Sequence, residues 1–207
     1  RKYPVKATQV VSILASTAVH GRGIIGARAG KPVIEVKGVL FTAFAEIDVF
    51  DIEVNADSTA EFITTVKNIA PTFGGINLED IAAPACFEIE EALIEQLDIP
   101  VFHDDQHGTA IIIAAALLNA LELQHKKIED IRVVCLGAGA AGIASMKLLQ
   151  GLGADPEKLF MIDRNGSIQS ERDDLNKQKQ AIAVHTDKTK LADSTDGADE
   201  LIGGFGP

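Results

Sequence analysis

One segment limits the fold more than any other. An apolar run, Ile131-Arg-Val-Val-Cys-Leu136, enters Gly137-Ala-Gly-Ala-Ala-Gly142 and leaves through Ile143-Ala-Ser-Met-Lys-Leu-Leu149. Strand, glycine turn and helix in that order are what a G-x-G-x-x-G phosphate cradle requires. Gly137 permits the tight turn, Gly139 lets the backbone approach a pyrophosphate, and Gly142 lets the helix pack close to the strand. The anion is then expected at the helix N-terminus, where free N–H groups and the dipole favour negative charge. Asp163 closes the next apolar run, about 20 residues beyond the last glycine, where a carboxylate accepts hydrogen bonds from ribose hydroxyls. Arg164 follows it directly and suits a 2′-phosphate instead, so NAD and NADP both stay open. A flavin or another nucleotide is the competing occupant.

The remainder alternates strand-like and helix-like segments, which implies an α/β fold with parallel sheet wrapped by helices. Residues 10–14, 48–54, 76–78, 99–102 and 159–162 read as strands. Pro32 suits a first helical turn and precedes an apolar-periodic stretch to Phe44. Ser58 and Glu61 have capping-box spacing for a helix that ends before Pro71. Residues 84–97 read as an amphipathic helix with its acidic residues outward. Residues 108–123 are apolar nearly all round and are expected to be buried on most sides, as a wall between two domains.

Composition narrows the function classes. The chain has 207 residues with 46% hydrophobic and 24% charged, ordinary for a globular protein. A net charge of −11 repels nucleic acid phosphates and makes a bound cation useful for holding an anionic substrate. Cys86 and Cys135 each lie in an apolar stretch and read as small buried hydrophobes, with no zinc or disulfide spacing. The most apolar run, residues 110–118, is shorter than the about 20 residues that span a bilayer, and no signal peptide opens the sequence. A cytoplasmic protein with no membrane or nucleic acid partner is expected.

Two acidic pairs stand apart from the other acidic neighbours because each follows a short strand. These are Glu79-Asp80 and Asp104-Asp105. Strand C-terminal ends form the ligand crevice of parallel α/β architecture, and carboxylates converging there need a cation. Hard oxygen ligands suit Mg²⁺ or Mn²⁺. His103, Asp105 and His107 alternate, and on an extended strand they would share one face as a zinc site.

Taken in order, Asn77-Leu-Glu-Asp-Ile81, Val101-Phe-His-Asp-Asp-Gln-His-Gly-Thr-Ala110 and Gly137-Ala-Gly-Ala-Ala141 resemble the small prokaryotic-type malic enzymes. Gly30-Lys-Pro-Val-Ile-Glu-Val-Lys-Gly-Val-Leu-Phe41, Asp48-Val-Phe-Asp-Ile-Glu53 and Pro71-Thr-Phe-Gly-Gly-Ile-Asn77 extend the resemblance over essentially the whole chain. It implies a malic-enzyme-type N-terminal α/β domain over 1–107 and a Rossmann-type dinucleotide domain over 108–207. It implies Lys37 as general base, Asp104 as the carboxylate that adjusts it, and Glu79, Asp80 and Asp105 as ligands of Mg²⁺ or Mn²⁺. Gly137, Ala138, Gly139, Ala140, Ala141 and Gly142 match the family's NAD(P) turn, with Asp163 and Arg164 beyond it. The implied reaction is oxidative decarboxylation of malate to pyruvate, in a dimer or larger homo-oligomer.

The family's Tyr-Ser/Thr-Pro-Gly motif and its asparagine motifs have no counterpart in this sequence, where Tyr3 is the only tyrosine. The resemblance is therefore read as one to the family's central part. Further departures are His20-Gly-Arg-Gly-Ile-Ile-Gly26, Val36 where a glycine usually precedes the lysine and would avoid crowding it, and Asp163-Arg-Asn-Gly166. A malolactic-type lyase and a non-catalytic binding or oligomerisation module are the alternatives these features leave open.

Overall fold

The computed structural model describes residues 6–15 and 26–203, which fall into two compact units that divide between Asp105 and Gln106. Tyr3 and residues 20–25 lie outside the described residues.

In the first unit β1 (Gln9–Leu14) is followed by α1 (Ala27–Ala45), β2 (Asp48–Glu53) and α2 (Thr59–Ile69). Next come β3 (Gly75–Glu79), α3 (Ala85–Gln96) and β4 (Val101–His103). The four strands form a parallel sheet in the order β2-β1-β3-β4. Every residue of β3 is buried, as a strand beneath helices demands. The helix after Ser58 has the expected cap: the Ser58 hydroxyl accepts from the Glu61 N–H at 3.2 Å. The Glu61 carboxylate accepts in turn from the Asp57 N–H at 2.8 Å.

Two expectations need correction here. The helix α1 begins at Ala27, after Gly26 at φ 80°, so Pro32 lies inside it and not in its first turn. On α3 the acidic face is not wholly outward, because Glu90 is only 7% exposed.

A π-helical turn (Asp104–Gly108) leads into the second unit, beginning with α4 (Thr109–Gln124). Then follow β5 (Val133–Leu136), α5 (Ala140–Gly151), β6 (Leu159–Asp163) and β7 (Gly166–Ser167). The short helices α6 (Lys177–Gln180) and α7 (Leu191–Thr195) precede β8 (Glu200–Gly203). The sheet order is β7-β6-β5-β8, parallel except for β7.

The helix α4 packs against α5 and buries Ala110, Ala114, Leu117 and Leu121, one stripe at helical spacing. Ile111, Ile112, Leu118 and Leu123 remain exposed, so the expectation of burial on most sides fails for the chain by itself. With the preceding turn, the helical stretch Asp104–Gln124 is long and apolar enough to cross a membrane by length and composition, although the apolar run within it is short. Its buried side is the stripe Ala110, Ala114, Leu117 and Leu121, and the helix packs against α5.

Candidate functional site

The register of the first sheet brings the acidic pairs together. Because β3 and β4 are parallel with Leu78 opposite His103, the chain leaves both strands side by side, at Glu79 and at Asp104. Glu79, Asp104 and Asp105 each offer a carboxylate oxygen, and the three atoms lie within 4.8 Å of one another. The resemblance implied Asp80 where the geometry gathers Asp104. Asp80 is buried and adopts φ 52°, a left-handed conformation that Asp tolerates better than most residues. Its N–H donates to the Asp105 carboxylate at 2.9 Å, which pins the loop after β3 to the turn after β4. The zinc alternative required extended backbone, and the π-helical turn over Asp104–Gly108 does not supply it.

Lys37 reaches this cluster from α1. Its Nζ lies 2.5 Å from Asp104 Oδ2 and 3.4 Å from Glu79 Oε1. Lys31, also on α1, pairs instead with Asp51 and Glu53 at the far edge strand. Val36 is 60% exposed.

The charges explain one another. Burial raises Glu79 to about 7, with repulsion from Asp104 adding to it. Burial likewise raises Asp105 to about 6, helped by Asp80. Burial disfavours the Lys37 ammonium, but the Asp104 hydrogen bond and the Glu79 charge outweigh it, and the net shift is upward.

Asn77 and Ser12 belong to the same site and escaped the sequence reading. Asn77 Nδ2 donates to Glu79 Oε2 at 3.1 Å and to Ser12 Oγ at 3.0 Å. Strand alternation was the available signal, since Asn77 and Glu79 share one face of β3 and Ser12 sits opposite Asn77 in β1.

In the second unit the glycine turn links β5 to α5, and the Gly137 N–H donates to the Ile162 carbonyl at 2.9 Å. A Cβ on Gly142 would lie 2.2 Å from the Gly137 carbonyl oxygen, whereas one on Gly139 would meet nothing within 4 Å. Beneath the turn Cys135 is buried, and burial pushes its thiol up to about 12; Cys86 is in the same state.

Asp163 ends β6 beside this turn. Oδ1 accepts from the Asn165 N–H at 2.9 Å and from Arg172 Nη1 at 2.9 Å. Oδ2 accepts from Arg172 Nη2 at 3.1 Å and from Lys179 Nζ at 2.6 Å. Burial opposes its ionisation, but these cationic donors prevail and hold Asp163 below the usual carboxylate range. Its depressed folded value means that the native state binds fewer protons than the unfolded chain as the solution is acidified. The stabilisation is complete above the unfolded value near about 4 and is lost as pH falls through the folded value. Urea midpoints of wild type and Asp163→Asn should differ at pH 7, and the gap should close as the solution is acidified through the folded carboxyl's lowered range. A gap that stays constant with pH would contradict this.

Family comparisons find one match in each unit. The family description "Malic enzyme, N-terminal domain" matches residues 56–94, and "Malic enzyme, NAD binding domain" matches residues 106–203. The NADP-dependent malic enzyme of Halomonas elongata is 56% identical over 99% of this chain and 49% of its own length. The NADP-dependent malic enzyme of Escherichia coli is 52% identical, over 100% of this chain and 27% of its own. The crystal structure of the NAD-dependent malic enzyme of Thermotoga maritima superposes with a TM-score of 0.91 at 42% identity, covering 98% of this chain and 55% of that one. The chain thus spans about half the length of the first of these relatives, and less of the second.

Proposed function

This chain belongs to the malic enzyme family, and on that premise we propose that it serves the oxidative decarboxylation of malate to pyruvate and carbon dioxide with reduction of NAD(P). The observation that carries the reading is Lys37 Nζ held between Asp104 and Glu79 where two adjacent parallel strands end. The unit up to Asp105 is read as the substrate and metal domain, and the unit from Gln106 as the dinucleotide domain.

The residues present fit both groups the reaction needs. Three carboxylate oxygens within 4.8 Å, two of them on groups with raised pKa, form a hard oxygen set whose repulsion a divalent cation would relieve. The glycine turn excludes a side chain at Gly142 and leaves open space over Gly139, as a close-lying pyrophosphate requires. When bound, Mg²⁺ or Mn²⁺ supplies Lewis acidity toward the C2 hydroxyl and the departing carboxylate's electrons, and the nicotinamide supplies the hydride acceptor.

Glu79 and Asp105 would hold the cation; Asp104, the third carboxylate of the cluster, is hydrogen-bonded to Lys37, and Asp80, joined to Asp105 through its N–H, is the further ligand that the family pattern implies. Asn77, braced by Ser12, keeps the Glu79 carboxylate oriented. Lys37 accepts the proton of the C2 hydroxyl as general base. It must be neutral to do so, and burial favours that form while the carboxylates oppose it. A cation on Glu79 would lessen that carboxylate's share of the opposition, while the Asp104 hydrogen bond continues to favour the ammonium.

Incubation with malate, Mn²⁺ and either coenzyme should yield pyruvate and reduced coenzyme in equal amounts. Absence of both overturns the reading, and lactate without net coenzyme reduction transfers it to a malolactic-type lyase. Metal binding is checked separately by calorimetric titration with Mn²⁺. Asp105→Ala should weaken it about a hundred-fold, the worth of one charge-assisted contact of about 3 kcal/mol. Unchanged affinity would remove Asp105 from the ligand set.

A further inference from the structure

The strand β3 is buried at every residue, yet it carries an amide side chain at its centre. Asn77 is 2% exposed, and among the described residues its Oδ1 has no hydrogen-bond partner. A buried carbonyl left unpaired costs stability, and an aliphatic side chain suited to a strand would carry no such cost. The other end of the amide accounts for its presence. Nδ2 has two N–H donors, and they go to Glu79 Oε2 at 3.1 Å and to Ser12 Oγ at 3.0 Å. Ser12 is itself fully buried and lies opposite Asn77 in the register of β1 and β3, so the brace is built into the sheet. An ionised carboxylate only accepts hydrogen bonds, which turns the NH₂ and not the carbonyl toward Glu79.

The two oxygens of Glu79 thereby meet different partners. Oε2 is held by Asn77, on the side of the sheet. Oε1 stands 3.4 Å from Lys37 Nζ, the ammonium that also contacts Asp104 of the acidic cluster. This division bears on the choice among cations. Ca²⁺ takes about 6–8 oxygens and accepts both oxygens of a carboxylate, whereas Mg²⁺ is smaller and demands a near-octahedral set. Selection between them follows the number of oxygens offered and the freedom of the side chains that offer them.

We propose that Asn77, braced by Ser12, is the positioning residue that limits Glu79 to one oxygen toward the cluster and so makes the site select Mg²⁺ or Mn²⁺ over Ca²⁺. The proposal rests on the metal reading of Glu79, Asp104 and Asp105. Release of the amide frees Oε2, which adds an oxygen and loosens the side chain, and both changes favour the larger cation.

The test is calorimetric titration of the chain with Mn²⁺ and, separately, with Ca²⁺. Wild type should bind Mn²⁺ the more tightly. Asn77→Val removes the donor and keeps a side chain that suits a buried strand. Its Mn²⁺ affinity should fall by about ten-fold, the usual effect of losing a partner behind a ligand, while its Ca²⁺ affinity holds or rises. Ser12→Ala, a smaller change on the neighbouring strand, should move the ratio in the same direction. A wild type that prefers Ca²⁺, an unaltered ratio in Asn77→Val, or an equal loss of both cations overturns the proposal while the metal reading stands. Should Asn77→Val fail to fold, an unaltered ratio in Ser12→Ala overturns it instead. A wild type that binds neither cation overturns both.

Discussion

Gly142→Ala is expected to lower the thermal midpoint and to abolish coenzyme binding, whereas Gly139→Ala is expected to abolish binding with the midpoint unchanged. The two substitutions add the same methyl group to one turn, and the difference lies in what the methyl meets. At Gly142 the Cβ falls 2.2 Å from the Gly137 carbonyl oxygen and 3.2 Å from Cys135 Sγ. The nearer atom is backbone, so strand end and helix start must separate. Overpacking of this kind costs about 1–3 kcal/mol, and the moved backbone takes its N–H groups with it. At Gly139 the added carbon meets nothing within 4 Å and φ is −87°, a value open to any residue. Its only cost is in the space an approaching pyrophosphate needs. Differential scanning fluorimetry and coenzyme titration of the pair separate the two effects. A Gly139→Ala chain that binds coenzyme like wild type would mean that the pyrophosphate does not approach there.

Lys37→Met should reduce malate-dependent coenzyme reduction by about 10²–10⁴, the usual worth of a positioned general base, with coenzyme affinity unaltered. The same variant has a second readout independent of turnover. Lys37 stands 2.5 Å from Asp104 and 3.4 Å from Glu79 and supplies positive charge to a crowded carboxylate cluster. Without it that cluster is more negative, and Mn²⁺ affinity should rise by roughly ten-fold, an effect that interactions at this distance readily supply in a partly buried site. Lys37→Arg separates the roles: it keeps the charge, and hence near wild-type metal affinity, but is too basic to accept a proton. If Lys37→Met leaves both turnover and Mn²⁺ affinity unchanged, the lysine is a surface charge and the proposed chemistry loses its base.

These expectations draw on features that were legible to different degrees. The glycine turn, the strand before it and the helix after it are contiguous, so local backbone preference and pattern were enough to place them. The Ser58 cap depends on a contact three residues long and was equally open to reading. The α/β alternation follows from hydrophobic period, and both sheets carry it. Side-chain faces were harder. The apolar character of α4 said nothing about which residues would find a neighbour, and Ile112 and Leu123 did not find one within this chain. Glu90 sits on the buried side of α3 among residues whose charge suggested solvent.

What the sequence determined by itself is the class of the molecule: parallel α/β architecture, a phosphate-binding turn, and carboxylate pairs placed after strands. Its resemblance added a family and a list of residues. Tertiary structure alone decided which of those residues come together in space. Lys37 and Asp104 are separated by 67 positions, and nothing in the chain between them distinguishes Lys37 from Lys31, which pairs with another strand. Likewise the donors that Asp163 meets stand 9 and 16 residues away, and only the fold brings them to its carboxylate. Period, capping and turn chemistry act over a few residues and are written in order along the chain. Charge pairing and hydrogen-bond saturation act over a few ångströms of space, and sheet register and helix packing decide which residues share that space.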